Sequence, residues 1–96
     1  MANYFPNIAC FDIDGTLIHI IGEKEDTPRY EVIQFFHLLE KFGFEMFCWS
    51  GGGEDYCENW VRKLGLNAKV VAKGSFTPEI AVDDEVVNLG KVNIKV

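Results

Sequence analysis

The sequence predicts an α/β domain in three layers, a mostly parallel sheet with helices on both faces. Two observations carry that expectation. Short apolar runs alternate with longer segments whose apolar residues recur every three or four positions, the order strand, helix, strand, helix, strand. Three of the apolar runs also end in polar clusters, at residues 12–16, 50–53 and 83–84. Parallel sheets bind ligands beyond the carboxyl ends of their strands, so three such ends on one rim point to a single site.

The first strand is read at Ile8 to Phe11, a wholly apolar run closed by Asp12. His19 to Asp26 reads either as a short hairpin-like excursion or as a loop. Thr27-Pro28 offers a helix start, with threonine as cap and proline at the first position. Val32, Phe36 and Leu39, with Ile33, Phe35 and Phe42, recur at helical spacing, and Gly43 ends the helix. Phe44 to Trp49 is the second strand. Ser50-Gly51-Gly52-Gly53 leads into a helix headed by Ser50, with Cys57, Trp60, Val61 and Leu64 on its apolar face and Gly65 at its end. Lys69 to Ala72 and Glu79 to Val82 are the third and fourth strands, and Val92 to Val96 adds a last one at an edge. Phe35, Phe36, Phe42, Phe44 and Phe47 read as core, Trp49 as packing in preference to the floor of a substrate pocket, His37 as structural, and His19 as a loop residue in preference to one that points at substrate.

The 96 residues are expected to form one domain, residues 1–96, with a hydrophobic fraction of 48% to supply its core. The formal net charge of -6 argues against a broad basic surface for nucleic acid, although a nucleic acid end reached through a metal stays open. Cys10, Cys48 and Cys57 are an odd count without CxxC spacing and read as small core residues, not a disulfide framework. MANYFPN lacks the charged leader and apolar stretch of a signal peptide, and no apolar run approaches membrane-spanning length. The expected setting is cytoplasmic, with no membrane partner.

The chemistry concentrates in IACFDIDGTLI, residues 8–18. Asp12, at the end of a central strand, would be fixed by the sheet while its carboxylate faces solvent. Such a carboxylate can attack phosphorus and form an aspartyl-phosphate. Its charge repels a phosphate, so a cation must bridge the two, and Mg²⁺ suits an oxygen-only site. Asp12 and Asp83, with Asp84 as a further donor, are the candidate ligands. Adjacent acids at a strand end repel each other unless a cation balances them, which favours a metal role for Asp83-Asp84 over a simple turn. Asp14 can protonate the leaving oxygen and later activate water, and Gly15 lets the chain turn after it. Thr16 either holds Asp14 or donates to substrate. Ser50, with Gly51 and Gly52 admitting close approach, is a candidate phosphoryl-binding loop at a helix N-terminus. Lys73, after the third strand, can neutralise both the phosphoryl group and Asp12. Lys69 and Lys63 are weaker candidates by position.

DIDGT, the serine after the second strand, the downstream lysine and the DD pair together resemble the haloacid dehalogenase-like superfamily of phosphohydrolases, over Ile8 to about Val87. The resemblance implies a Rossmann-like fold, Asp12 as nucleophile, and Asp14 as general acid/base whose backbone carbonyl is also a metal ligand. It implies Ser50 as the phosphate-binding hydroxyl, Lys73 as the orienting lysine, and Asp83 with Asp84 as metal ligands. The second aspartate favours phosphatase over dehalogenase chemistry. The chain departs from the pattern in two places. Only Gly74 to Val82 separate the lysine from the last acidic strand, too little for the usual intervening helix, and no cap is inserted after either early motif. It is particularly similar to small hydrolase-like proteins of phages and bacteria, which carry a tryptophan before the phosphate-binding hydroxyl and a valine–asparagine step after the acidic pair.

The resulting expectation is an Mg²⁺-dependent phosphomonoesterase with an open site. Its substrate is a phosphorylated small molecule or a macromolecular end, and a second copy of the chain is a candidate partner. The alternative is a catalytically weak module that binds metal and phosphate in a regulatory or structural role. A phosphoryl-accepting response-regulator-like domain also uses acids and a lysine, but it does not place both acids in one DxDGT run.

Overall fold

A computed structural model describes residues 4–96. Met1, Ala2 and Asn3, the start of the leader reading, lie outside the described residues. The chain forms strands β1 (Tyr4–Phe11), β2 (Glu45–Cys48), β3 (Lys69–Val70), β4 (Thr77–Asp83) and β5 (Val92–Lys95), and helices α1 (Tyr30–Lys41) and α2 (Glu54–Leu64). The five strands make one sheet in the order β3-β2-β1-β4-β5, every neighbouring pair parallel. This is a Rossmann-like α/β domain with its first strand at the centre. No helix among the described residues is long and apolar enough to cross a membrane.

Strand alternation sorts the interior into two clusters. Ala9, Phe11, Met46, Cys48 and Val82 face one way and meet Val32, Phe36 and Leu39 of α1 and Cys57 and Val61 of α2. Cys10, Phe47, Trp49 and Ala81 face the other way and meet Ile8, Val71, Phe76 and Leu89. Both flanking helices therefore cover the first face, and the third layer is made of connecting segments. Residues 71–76 cross that second face in place of the usual helix. A helical crossover needs about ten or more residues, so this link runs as turns and bends. Its anchor is Phe76, whose ring lies 5.4 Å from Phe5, 5.5 Å from Phe47 and 5.9 Å from Trp49.

Several boundaries differ from those the sequence suggests. β1 reaches back past Ile8 to Tyr4, since Tyr4 and Phe5 also pair with β4 on the far side of a register shift between Phe5 and Ala9, with Asn7 at φ 63°. Thr27 and Pro28 do not start α1. Thr27 Oγ1 bonds back to Lys24 O, and Arg29 occupies the cap position without a side-chain cap. A cation is a poor choice beside the positive end of a helix, which suggests that Arg29 has another task. Residues 19–27 form the hairpin-like alternative, with His19 N–H on Thr27 O (2.9 Å) and Asp26 N–H on His19 O (2.8 Å) around a 3₁₀ turn at Gly22–Lys24. Phe42 is 72% exposed and is not core. The helix stops one residue before it, the chain reverses at Gly43 (φ 95°), and Phe44 packs against the core instead. Trp49 is fully buried, as expected for packing. The three cysteines are buried free thiols, and burial raises the pKa of each.

Candidate functional site

Strand register builds the site. Phe11 pairs with Cys48 on one side and Val82 on the other. One residue further, Asp12 N–H bonds Val82 O (3.0 Å) and Trp49 N–H bonds Phe11 O (3.1 Å). Ser50, Asp12 and Asp83 thus leave three neighbouring strands at one rim, spaced by about 4.8 Å per strand. Asp12, Asp83 and Asp84 each offer a carboxylate oxygen within 4.8 Å of the others. Asp12 is only 5% exposed and Asp83 2%, so the Asp12 carboxylate is buried and does not face solvent freely.

Lys73 completes the cluster. Its Nζ donates to Asp12 Oδ1 at 3.0 Å and to Asp83 Oδ2 at 2.8 Å. The missing crossover helix does not hold it away, because the short link across the second face leaves the rim at Lys73 itself. Burial pushes the Asp12 carboxyl up to about 6, the Lys73 hydrogen bond pulls against that, and the Asp83 charge adds to it. Asp84 is raised by burial and by Asp83. Burial alone would lower Lys73, but its bonds to Asp83 and Asp12 outweigh it, so the ammonium is held charged.

The donor chemistry fits a hard divalent cation. All candidate ligand atoms are oxygens, and three carboxylates face one lysine. Two unit charges at this spacing repel by roughly 3–4 kcal/mol at an effective dielectric near 20. A divalent ion would cancel the excess charge. The cluster is therefore capable of coordinating a metal.

The remaining candidates fall around this cluster with altered contacts. Thr16 is fully buried and its Oγ1 donates to Asp12 Oδ2 at 3.3 Å, so it braces Asp12 and not Asp14. Three amides, those of Thr16, Leu17 and Ile18, converge on Ile13 O and coil the chain just past the site. Gly15 sits in this coil at φ +76°, and an added Cβ would lie 2.2 Å from Asp84 Oδ2, so both conformation and space require glycine. Ser50 does not head α2. The helix starts at Glu54 with Gly53 at the cap, and Ser50 Oγ accepts the Gly52 amide at 3.0 Å. Ser50, Gly51 and Lys73 line one shallow cleft, walled by Glu54 and Asp55. The Asp14 side chain is not among the three clustered carboxylates. Its Oδ1 accepts the Tyr56 hydroxyl at 2.5 Å.

Two contributors escaped the sequence reading. Arg29 Nη1 donates to Gly15 O at 2.6 Å, pinning the turn after Asp14. Its unfavourable place at a helix N-terminus was the available signal. Tyr56 lies in the first turn of α2, adjacent to the apolar positions Cys57 and Trp60, where a tyrosine looks like ordinary packing. The other two candidate lysines stand apart from the cluster, Lys69 paired with Glu45 at 2.7 Å and Lys63 lying over the Trp60 ring. His37 is paired with Glu40 on the exposed side of α1. No protein family, curated protein or solved structure matches the chain.

Proposed function

We propose that this chain is a phosphomonoester hydrolase of the haloacid dehalogenase type, working through an aspartyl-phosphate. The observation that carries the reading is Lys73 bridging Asp12 and Asp83 inside a three-carboxylate cluster at the rim of a parallel sheet. In this reading Asp12 attacks phosphorus, forming an O–P bond while the P–O ester bond breaks. Asp14 delivers its proton to the departing oxygen. Water then attacks the aspartyl-phosphate, gives a proton to Asp14, and releases inorganic phosphate and the free Asp12 carboxylate. Lys73 keeps Asp12 aimed and stabilises charge on the phosphoryl oxygens. The Ser50 hydroxyl, whose oxygen already accepts from Gly52, still has its proton to donate to a phosphoryl oxygen. Mg²⁺ would be held by Asp12, Asp83 and Asp84, with the Asp14 carbonyl as a further ligand, and would offset the repulsion between carboxylates and phosphate.

The shallow cleft suits a phosphate on a large or extended molecule as well as on a small one, and a second copy of the chain is a candidate partner to cover it. The test is phosphate release from a panel of phosphorylated sugars, nucleotides, peptides and nucleic acid ends, with and without Mg²⁺. Hydrolysis that requires the cation is expected. Binding of Mg²⁺ with no turnover on any class would leave a metal- and phosphate-binding module instead.

Metal binding has its own signature. Saturating Mg²⁺ should raise the melting temperature of the metal-free protein by the equivalent of about 2–3 kcal/mol near 100-fold excess over Kd. Asp83→Asn should remove most of that gain. The gain should be larger at pH 7.5 than at pH 5, because Asp12, pushed up to about 6, must lose its proton to bind the ion. A shift that is equal at both pH values, or unaffected in the variant, would place the cation elsewhere.

A further inference from the structure

We propose that Tyr56 is a positioning residue that sets which oxygen of Asp14 faces the leaving group, and so links the phosphate loop to the acid/base. The inference rests on the reading of Asp14 as general acid given above. Tyr56 occupies the third position of α2. Side chains on a helix lean toward its N-terminus, so the ring lies back over the loop that precedes α2. It meets that loop closely, since a Cβ on Gly52 would stand 3.1 Å from Tyr56 Cδ2 and 3.3 Å from Cγ. From there the phenol reaches across to Asp14 and donates to Oδ1 at 2.5 Å.

A carboxyl group has two equivalent oxygens and can present either. With Oδ1 engaged by a phenol, the transferable proton belongs on Oδ2, and the group cannot turn without losing its partner. The backbone on the other side is held as well, because Arg29 donates to the carbonyl of Gly15. Asp14 is thus clamped from α2 and from the start of α1. The same ring that orients the acid rests on Gly52, next to the hydroxyl proposed to hold the phosphoryl group. Phosphate seated against the loop would therefore meet an acid already registered to it. In a site without a covering domain, this is a way to hold the acid in place that does not depend on closure.

The experiment compares Tyr56→Phe with the unaltered protein on two classes of substrate in Mg²⁺. A dinitrophenyl phosphate expels a leaving group that needs no proton. An alkyl phosphate needs the proton of Asp14. kcat/KM reports the steps up to departure of the leaving group and is blind to later release of phosphate. Loss of one hydrogen bond to a charged or acidic group should lower kcat/KM by about tenfold more for the alkyl substrate than for the dinitrophenyl one. In an Asp14→Asn background the same change should produce no further selective loss, whereas a residue that only supports packing would add its effect there too. Equal losses on both substrates, or a selective loss that persists without Asp14, would overturn the role of Tyr56 while leaving the phosphatase reading intact. If the unaltered protein hydrolyses neither substrate, both fall together.

Discussion

Asp12→Asn is expected to lower phosphate release by about a thousandfold or more while the protein stays folded and melts higher when metal-free. The loss follows from the amide, which cannot attack phosphorus. The gain follows from the position of Asp12 in the cluster. Its carboxyl is pushed up to about 6 from an ordinary value of 3.8, burial being the largest cause. A folded-state value above the unfolded one means that the stabilising contribution is full below about pH 4 and is lost as the pH rises through about 6. At pH 7 the ionised group therefore opposes folding, on the order of 1–3 kcal/mol. Asparagine keeps the shape and an oxygen for Lys73 while removing one of three neighbouring negative charges. Phosphate release in saturating Mg²⁺ and thermal unfolding without metal, each compared with the unaltered protein under the same condition, check the two halves. Retained activity would exclude Asp12 as nucleophile, and a lower melting temperature would show that the Lys73 pairing outweighs the burial of charge.

Lys73→Met should damage both properties at once. Asp12 and Asp83 would lose the cation that bridges them, and removing one partner of a buried ion pair leaves a charge without compensation, at about 3–5 kcal/mol. The carboxylates have a way to escape part of that penalty. Lys73 is among the groups that hold the Asp12 value down, so without it Asp12 should take up a proton near neutral pH. That caps the expected destabilisation at about 2–3 kcal/mol, or some 10 °C or more in a domain this size. A protonated Asp12 is a poor nucleophile, and the phosphoryl group also loses a positive neighbour, so activity should fall by about 10³-fold. Mg²⁺ should recover stability more than activity, because a cation can balance the carboxylates but cannot replace the lysine at the phosphoryl oxygens. Full activity in the variant would remove Lys73 from the mechanism.

These two residues also mark how far the sequence could be read. Asp12 was legible because its constraint is local. An apolar run ending in DxDGT describes a buried strand that stops at a turn, and the order of apolar segments places that strand in a parallel sheet. The helical stretches were equally legible, since Val32, Phe36 and Leu39, and Cys57 and Val61, each recur at the spacing of one helix face. Lys73 could be nominated but not placed. Whether it reached Asp12 depended on the path of residues 71–76, which periodicity does not describe because they form no regular element. The anchoring of Phe76 among Phe5, Phe47 and Trp49 decides that path, and it joins residues far apart in sequence.

The same distinction explains what went astray. Thr27-Pro28 has good local chemistry for a helix start, yet the backbone there is drawn into the bridge from Ile18 to Pro28. Phe42 keeps helical spacing but falls just past the last turn. Tyr56 and Arg29 look unremarkable among their neighbours along the chain and acquire their contacts only across it.

By itself, then, the sequence determined the α/β class, the parallel order of elements, and the acids and serine at the strand ends. Each of these follows from side-chain period and turn chemistry within a few residues. Only the tertiary structure decided that both helices share one face, that Lys73 bridges Asp12 and Asp83, that Thr16 braces Asp12, and that Tyr56 holds Asp14. Those are contacts between separate elements, set by sheet register and by the course of irregular links, and short-range patterns carry no record of them.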